Sequence, residues 1–500
     1  MSMGRSCRPG GRANPIAERA VEDSVRRPHP AIAGLVTGLA LMLPVALHSA
    51  LATATADADV PTIDVRSNPP LLVTAGEPFE LRFSVICADP AQPGSPDCAP
   101  AGELHVRPTG AVDWTTIPLI EGGPNRDNRL YAVVPSSLLT SGITSYYAVL
   151  RDASTNATKT IPAGGATAPQ QIITLPASAT VNVALPDRYG QSGTIRPFDR
   201  VEARSDYSVC GGVPADPTCV EATAPEGGNV DDSVTTGVAA IDVDAAGKVY
   251  VLDTAGRAVL SPGAVPRKVP VDVRSSTPDL AVDATTGAYY VLESSPVPDQ
   301  SDTPLLKAFD GATGALLRSV PTAEGIATSL HNSPAGPVVH QFPSDMWSPV
   351  FGTAGLPLPA EQQAALETVG RTTANGQIAL KVTDDSVRVA LLAGGAVVSA
   401  WNITDPSKVF GAVALAELDG PDLVLVVEQW DDSSALYRVL RISGAVVTKD
   451  FYVQPQEQVE AAVGARWRYN AALDRVYYLA TSPGDGFTTG PSMTVGSWQL

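Results

Sequence analysis

Charged side chains are scarce in this chain of 500 residues: 17% are Asp, Glu, Lys or Arg, and only seven are lysine. What charge there is leans acidic, with 52 Asp and Glu against 34 Lys and Arg and a formal net charge of −18. A surface of that sign repels phosphate backbones and anionic lipid, so nucleic acid is not an expected partner. Histidine is rarer still, with five in the chain. Neither a Gly-x-Ser-x-Gly, nor a His-Glu-x-x-His, nor a Gly-x-x-x-x-Gly-Lys sequence occurs. The local signatures of a hydrolase elbow, a zinc-protease helix and a phosphate-cradling loop are therefore missing. Cysteine is limited to five residues without a Cys-x-x-Cys spacing, which sets a zinc site aside. The one long apolar run, residues 31–47, is broken by Pro44 and is marginal for a membrane span.

What is abundant points to a folded, turn-rich chain. The hydrophobic share is 44%, and there are 43 Gly and 44 Pro, the punctuation of many short strands. Five hundred residues exceed one ordinary core, so two or three domains are expected. Arginine in place of lysine, beside much Ala, Pro and Val, is the usage of a GC-rich bacterial genome.

Residues 31–47 follow Arg26-Arg27 and precede the small residues 49–56. This is the basic, apolar and small-residue order of a secretory signal, with cleavage expected after Ala52, Ala54 or Ala56. We therefore assign 1–56 as a signal peptide with a long n-region and expect a secreted or cell-surface protein. Membrane contact is expected only if this segment stays on as an uncleaved anchor. Removal takes away His29, His48 and Cys7, leaving His105, His331 and His340 and the even set Cys87, Cys98, Cys210 and Cys219. In an oxidising compartment four cysteines suggest two disulfides. Close sequential spacing favours Cys87–Cys98 and Cys210–Cys219, although three pairings are open.

Residues 60–185 read as seven or so short strands between Pro and Gly turns, the count of an immunoglobulin-like sandwich. Within them Leu138-Leu139-Thr-Ser-Gly-Ile-Thr-Ser-Tyr-Tyr-Ala-Val-Leu-Arg-Asp resembles the corner and penultimate strand of a fibronectin type III domain, with Tyr146 or Tyr147 as the tyrosine that opens the strand. Residues 186–236 show little periodicity and hold Cys210 and Cys219. They read as a disulfide-stapled connector packed on the C-terminal domain.

Residues 237–500 read as a repeat array. Residues 239–253 run Ala-Ala-Ile-Asp-Val-Asp-Ala-Ala-Gly-Lys-Val-Tyr-Val-Leu-Asp, and 280–293 run Leu-Ala-Val-Asp-Ala-Thr-Thr-Gly-Ala-Tyr-Tyr-Val-Leu-Glu. Each is an apolar segment, a Gly turn and a second apolar segment ending in an acid, the pattern of a hairpin. Tyr250 and Tyr290 hold the same place, so the unit recurs after about 40 residues, the spacing of propeller blades. Further strand groups bring the count to six blades of roughly 44 residues each. Only 358–369 reads as helical. The pattern Ile/Val-Asp-x-x-Gly-x-x-Tyr-Val-x-Asp resembles the NHL family of six-bladed propellers, and the layout is similar to exported bacterial proteins of unestablished role. The fold class expected is all-β, an immunoglobulin-like β-sandwich followed by a six-bladed β-propeller. The resemblance implies a shape and not a reaction.

Two sets of candidate site residues emerge. Asp253, Glu293 and Glu428 fall at matching ends of the second strand in three copies. Acids repeated about a ring can converge on one rim, where oxygen ligands suit Ca2+. Some propellers similar to NHL proteins are metal-dependent hydrolases or lyases. The plainer account is that each acid anchors the turn after it, and apart from Ca2+ no cofactor is expected. Trp347 and Trp430 sit beyond strand ends, where aromatics favour recognition, unless each covers the edge of its own blade. His331 and His340 flank a turn in a degenerate copy and read as turn residues. The function expected is a non-enzymatic binding or scaffold protein presenting a propeller face to an extracellular protein or glycan. The alternative is a metal-dependent hydrolase or lyase at the central rim.

Overall fold

An aspartate before a glycine sets the local geometry of this chain. In the computed structural model the Asp244 carboxylate accepts the amides of Ala246 and Lys248 at 3.0 and 2.9 Å, and Gly247 takes a φ of 80°. Asp283 with Gly287 and Asp310 with Gly314 repeat the device: each carboxylate accepts the next amides, and each glycine adopts a positive φ that a Cβ would strain. Such turns reverse the chain between apolar segments, and the result is an all-β protein. The structure describes residues 62–500 apart from 89–98, 123–128, 187–194, 197–202, 210–218, 224–234, 294–303, 455–462, 483–491 and several shorter stretches. All of these lie in the unit Ala58–Leu500. The expected signal peptide, Cys98 and Cys210 lie outside the described residues.

Six sheets succeed one another along 238–499, and each is antiparallel within itself. The first holds Val238–Val243, Val249–Asp253, Ala258–Ser261 and Arg267–Pro270; the second holds Pro278–Asp283, Ala288–Glu293, Leu305–Asp310 and Leu316–Pro321. The third holds Ile326–Ser333, Gly336–Phe342 and Met346–Pro349; the fourth holds Arg371–Thr373, Gly376–Val382, Ser386–Ala393 and Ala396–Thr404. The fifth holds Val409–Asp419, Asp422–Trp430, Ala435–Ser443 and Val446–Val453; the sixth holds Trp467–Asn470, Arg475–Ser482 and Ser492–Gln499. The helical stretch expected at 358–369 is a single short helix, Ala360–Ala365, between the third and fourth sheets.

Neighbouring sheets share cores, and the last shares one with the first. Tyr250 and Val259 pack with Leu280 and Tyr289, and Leu292 and Leu306 pack with Leu330 and Val339. Met346 packs with Ala379 and Ala390, Val389 with Leu425, and Val426 with Tyr478 and Trp498. Leu479 and Val495 then meet Ile241 and Val251, which closes the circle. The arrangement is propeller-like. Because both faces of a sheet are covered, its strands read as unbroken apolar runs. In Asp422–Trp430, Leu423, Leu425 and Val427 face the fourth sheet while Val424 and Val426 face the sixth, and all five are fully buried. Each such side chain contributes about 1.5–3 kcal/mol by leaving water. Tyr250 and Tyr290 keep their equivalence: each packs toward the next sheet, Tyr250 on Tyr289 and Tyr290 on Phe351, both at 5.9 Å.

Among the described residues three further sheets precede the ring strands, one of them the short pair Ala222–Thr223 and Thr235–Thr236. Of the remaining two, one orders Thr62–Ser67, Phe79–Ala88, Arg129–Val134 and Ile120–Glu121. The other orders Leu72–Thr74, Gln170–Leu175, Gly142–Asp152, Pro100–Arg107 and Thr115–Pro118. They share one core that includes Leu81, Phe83, Leu104, Tyr146 and Leu150. Of the two tyrosines singled out in the sequence, Tyr146 points inward and donates to Gln170 Oε1 at 3.0 Å, while Tyr147 stacks on His105 at 4.5 Å. Leu72, Ile173 and Leu175 complete the core between the third and fourth ring sheets, so this part packs directly on the ring.

The strands between 180 and 209 are built into the ring margin. Thr180–Ala184 pairs in parallel with Ala396–Thr404 of the fourth sheet. Ile195–Arg196 pairs in parallel with Val446–Val453 of the fifth sheet. Ala203–Val209 lies antiparallel to the C-terminal Ser492–Gln499 of the sixth. Cys87 and Cys219 are both disulfide-bonded.

Candidate functional site

The innermost strands of the six sheets meet at the ring axis, and polar side chains gather there. Arg468, on Trp467–Asn470, is the central one. Its Nη2 donates to Asp279 Oδ1 at 2.8 Å and to the carbonyl of Leu280 at 2.9 Å, and its Nε lies 3.3 Å from Asp242 Oδ1. Its Nη1 donates to the carbonyls of Gly464 and Trp467 at 2.6 and 2.8 Å. The two acids also clasp the next sheet round the ring. Asp242 Oδ2 accepts the Val282 amide at 2.6 Å, and Asp279 Oδ2 accepts the Leu330 amide at 2.7 Å. Burial pushes the Asp242 carboxyl up, against the charge of Arg468 and the two amides it accepts. Burial likewise works against the Arg468 charge, but Asp279 and Asp242 more than restore it. Buried ions are tolerated when paired and fully hydrogen-bonded, as these are.

Two cavities flank this cluster. One, of about 400 Å³, lies between the third, fourth and fifth sheets; Ser329, His331, His340, Trp347, Arg371 and Lys381 supply its polar wall, and Ile378 and Leu415 its apolar wall. The other, of about 410 Å³, is lined by Asp242, Asp244, Glu417 and Arg468. His331 and Arg371 belong to both walls. The first cavity has no carboxylate among the described residues of its wall, whereas the second has three. The axis is therefore polarised, donor-rich on one side and acidic on the other.

Strand pairing fixes the donor-rich side. Ser329 pairs with His340, and His340 with Trp347, across adjacent strands of the third sheet. The Trp347 indole lies 4.9 Å from the His340 ring and 5.5 Å from the His331 ring. His340 Nδ1 is 2.7 Å from Thr328 Oγ1. Arg371 is nearly buried, and its Nη2 donates to the Ala416 carbonyl at 2.7 Å and to Glu417 Oε1 at 2.6 Å. Burial pushes the His331 imidazole well below its usual range, and the charges of Arg371 and Arg468 and the neighbouring His340 act in the same direction. His331 is thus neutral at pH 7, one ring nitrogen a donor and the other an acceptor.

The acids singled out in the sequence are each occupied locally. Asp253 is fully buried and accepts the Gly256 amide at 2.8 Å. Glu293 pairs with Lys307 Nζ at 2.9 Å. Glu428 accepts the Ala412 amide at 3.5 Å. Among the described residues no group of three or more His, Cys, Asp or Glu side chains is placed to hold a metal ion. Trp347 lines the first cavity, while Trp430 is 42% exposed at a strand end outside both. His331 and His340, read in the sequence as flanking a turn with surface or turn roles, lie in the two strands on either side of that turn and line the first cavity. The one sequence signal for them is the alternation Ser329, His331, Ser333 along one face of the strand, a polar face where a ring interior would have to be wet.

No protein-family model matches the chain, and no curated protein matches it. Solved structures are similar to parts of it. Virginiamycin B lyase from Staphylococcus aureus is 9% identical, in a match that covers 60% of this chain and 99% of that one with a TM-score of 0.30. A protein of unknown function from Bacteroides caccae is 12% identical, covering 43% and 81% with a TM-score of 0.28. Hsv2 from Kluyveromyces lactis is 13% identical, covering 48% and 70% with a TM-score of 0.29. Likeness at this level transfers neither activity nor ligand.

Proposed function

We propose that the chain is an exported binding protein: a six-bladed propeller, carried behind an immunoglobulin-like sandwich, that takes its ligand at the ring axis. The export reading rests on the basic, apolar and small-residue order of 1–56. The blade count is supported by six successive sheets whose cores link in a circle. The sandwich reading is supported by two sheets sharing one core with Tyr146 inside it. The observation that carries the function is the cavity at the axis, with Trp347, His331 and His340 grouped on its wall. A concave site that combines apolar surface with convergent polar groups is the form a ligand site takes. No observation favours the metal-dependent hydrolase or lyase over this reading. A thermal-shift screen of chemically diverse small molecules against the full chain tests it. Compounds that raise the melting temperature of the native chain but not of Trp347→Ala are expected. A screen in which every stabilising compound acts equally on both would send the ligand elsewhere.

A further inference from the structure

We infer that the cavity between the third, fourth and fifth sheets is a site for a small, ring-bearing organic carboxylate, an inference that rests on the binding-protein reading above. Three properties of the wall lead there. Its polar groups are hydroxyl, imidazole, guanidinium and ammonium, from Ser329, His331, His340, Arg371 and Lys381, and no carboxylate among the described residues joins them. Such a wall offers donors to an anion and, among the described residues, no carboxylate to pair with an organic cation.

The second property is that the guanidinium is already held in place. Nη2 of Arg371 is fixed by the Ala416 carbonyl and by Glu417, and among the described residues it is the nitrogen of that side chain that is engaged. A planar fork held at one corner keeps its other donors in a set direction, so a ligand oxygen meets them without the entropy cost of ordering the side chain. Glu417 lies on the far wall, in the second cavity, and so does not occupy the space an anion needs. The neutrality of His331 agrees with this picture: the same arginines that disfavour its proton would favour a bound negative charge.

The third property is shape. Both imidazoles stand near the Trp347 indole, His340 at 4.9 Å and His331 at 5.5 Å, and Ile378 and Leu415 add an apolar wall. Flat, apolar surface beside donors suits a ring carrying a carboxylate better than an inorganic ion. A volume of about 400 Å³ is near the small end of ligand pockets. A metal ion is a poorer occupant, because among the described residues the two histidines have no third ligand of the usual kinds beside them.

The test uses the native full chain and three probes of one shape: 2-naphthoate, 2-naphthamide and 2-naphthylmethylamine, each titrated by calorimetry and by quenching of tryptophan emission. Naphthoate is expected to bind at least about tenfold more tightly than the amide, the worth of one charge-assisted hydrogen bond, and the amine not at all. Its quenching should be lost in Trp347→Phe, and Arg371→Lys, which gives up the planar fork, should weaken naphthoate about fivefold or more while leaving the amide unchanged. The comparison of probes on the native chain stands even if a variant fails to fold. Equal or tighter binding of the amide or the amine at this site overturns the anion inference and leaves the binding-protein reading intact. Absence of binding by all three probes overturns it as well. The wider reading falls only if the thermal-shift screen also finds no compound that depends on Trp347.

Discussion

Arg468 Nη2 lies 2.8 Å from Asp279 Oδ1, joining the last sheet of the ring to the second across 189 residues of sequence. The same guanidinium reaches Asp242 in the first sheet, so one side chain links three sheets.

Removing that guanidinium should be costly. Arg468→Met leaves the carboxylates of Asp242 and Asp279 buried with only backbone amides to answer their charge. Breaking one side of a buried pair typically costs about 3–5 kcal/mol. Urea unfolding of the full chain measures this, and a loss under about 1 kcal/mol would mean that water enters and replaces the arginine.

His331 gives stability a dependence on pH. Its folded pKa lies below the unfolded one near 6.5, held down by burial and by Arg371, Arg468 and His340. Below about pH 6.5 the unfolded chain therefore binds a proton at this site that the folded chain refuses, and stability falls as pH falls. Urea midpoints measured from pH 7.5 to 5 should show this decline, and His331→Gln should flatten it. An unchanged slope in the variant would place the titration elsewhere.

Asp152 acts in the opposite chemical sense in the N-terminal sheets. Burial works against its charge, yet hydrogen bonds from the Thr155 and Ser154 hydroxyls and from the amides of Ala99 and Ser154 hold its carboxyl well below the usual range. The stability this confers is present above the unfolded pKa near 3.9 and is lost as pH falls below it. Asp152→Asn should cost about 1–3 kcal/mol at pH 7 and less at pH 3. Equal losses at both values would show that the charge is not what these donors recognise.

Gly411 leaves room for Glu428 and Trp430. A Cβ there would stand 2.5 Å from Glu428 Oε2 and 2.6 Å from Trp430 Nε1. Gly411→Ala should displace the indole, at a cost of about 1–3 kcal/mol, and shift the emission of Trp430. Comparison with Gly411→Ala in a Trp430→Phe background isolates that change, and spectra that match would mean that the strand moves instead.

The hairpins are legible in the sequence because their causes are local: Asp244, Asp283 and Asp310 each bind amides within four residues, with a glycine close behind. Tyr250 and Tyr290 are legible as equivalent because equal register sends both side chains to the same neighbouring face. The axis is not legible in this way. Arg468, Arg371 and His331 come together only when distant inner strands converge, and nothing within ten residues of Arg468 announces Asp279. Asp253, Glu293 and Glu428 do share a place at the end of the second strand. Yet a shared backbone position does not set where a carboxylate turns, and Glu293 turns to Lys307 while Asp253 turns to its own loop.

The stretch from 180 to 209 lends an outer strand in turn to the fourth, fifth and sixth sheets. It works as a girdle and not as a tether between parts. A chain started at 237 would leave three margins with bare amides and carbonyls, open to pairing with any passing strand. The ring would then owe its solubility to residues that no count of its repeats includes.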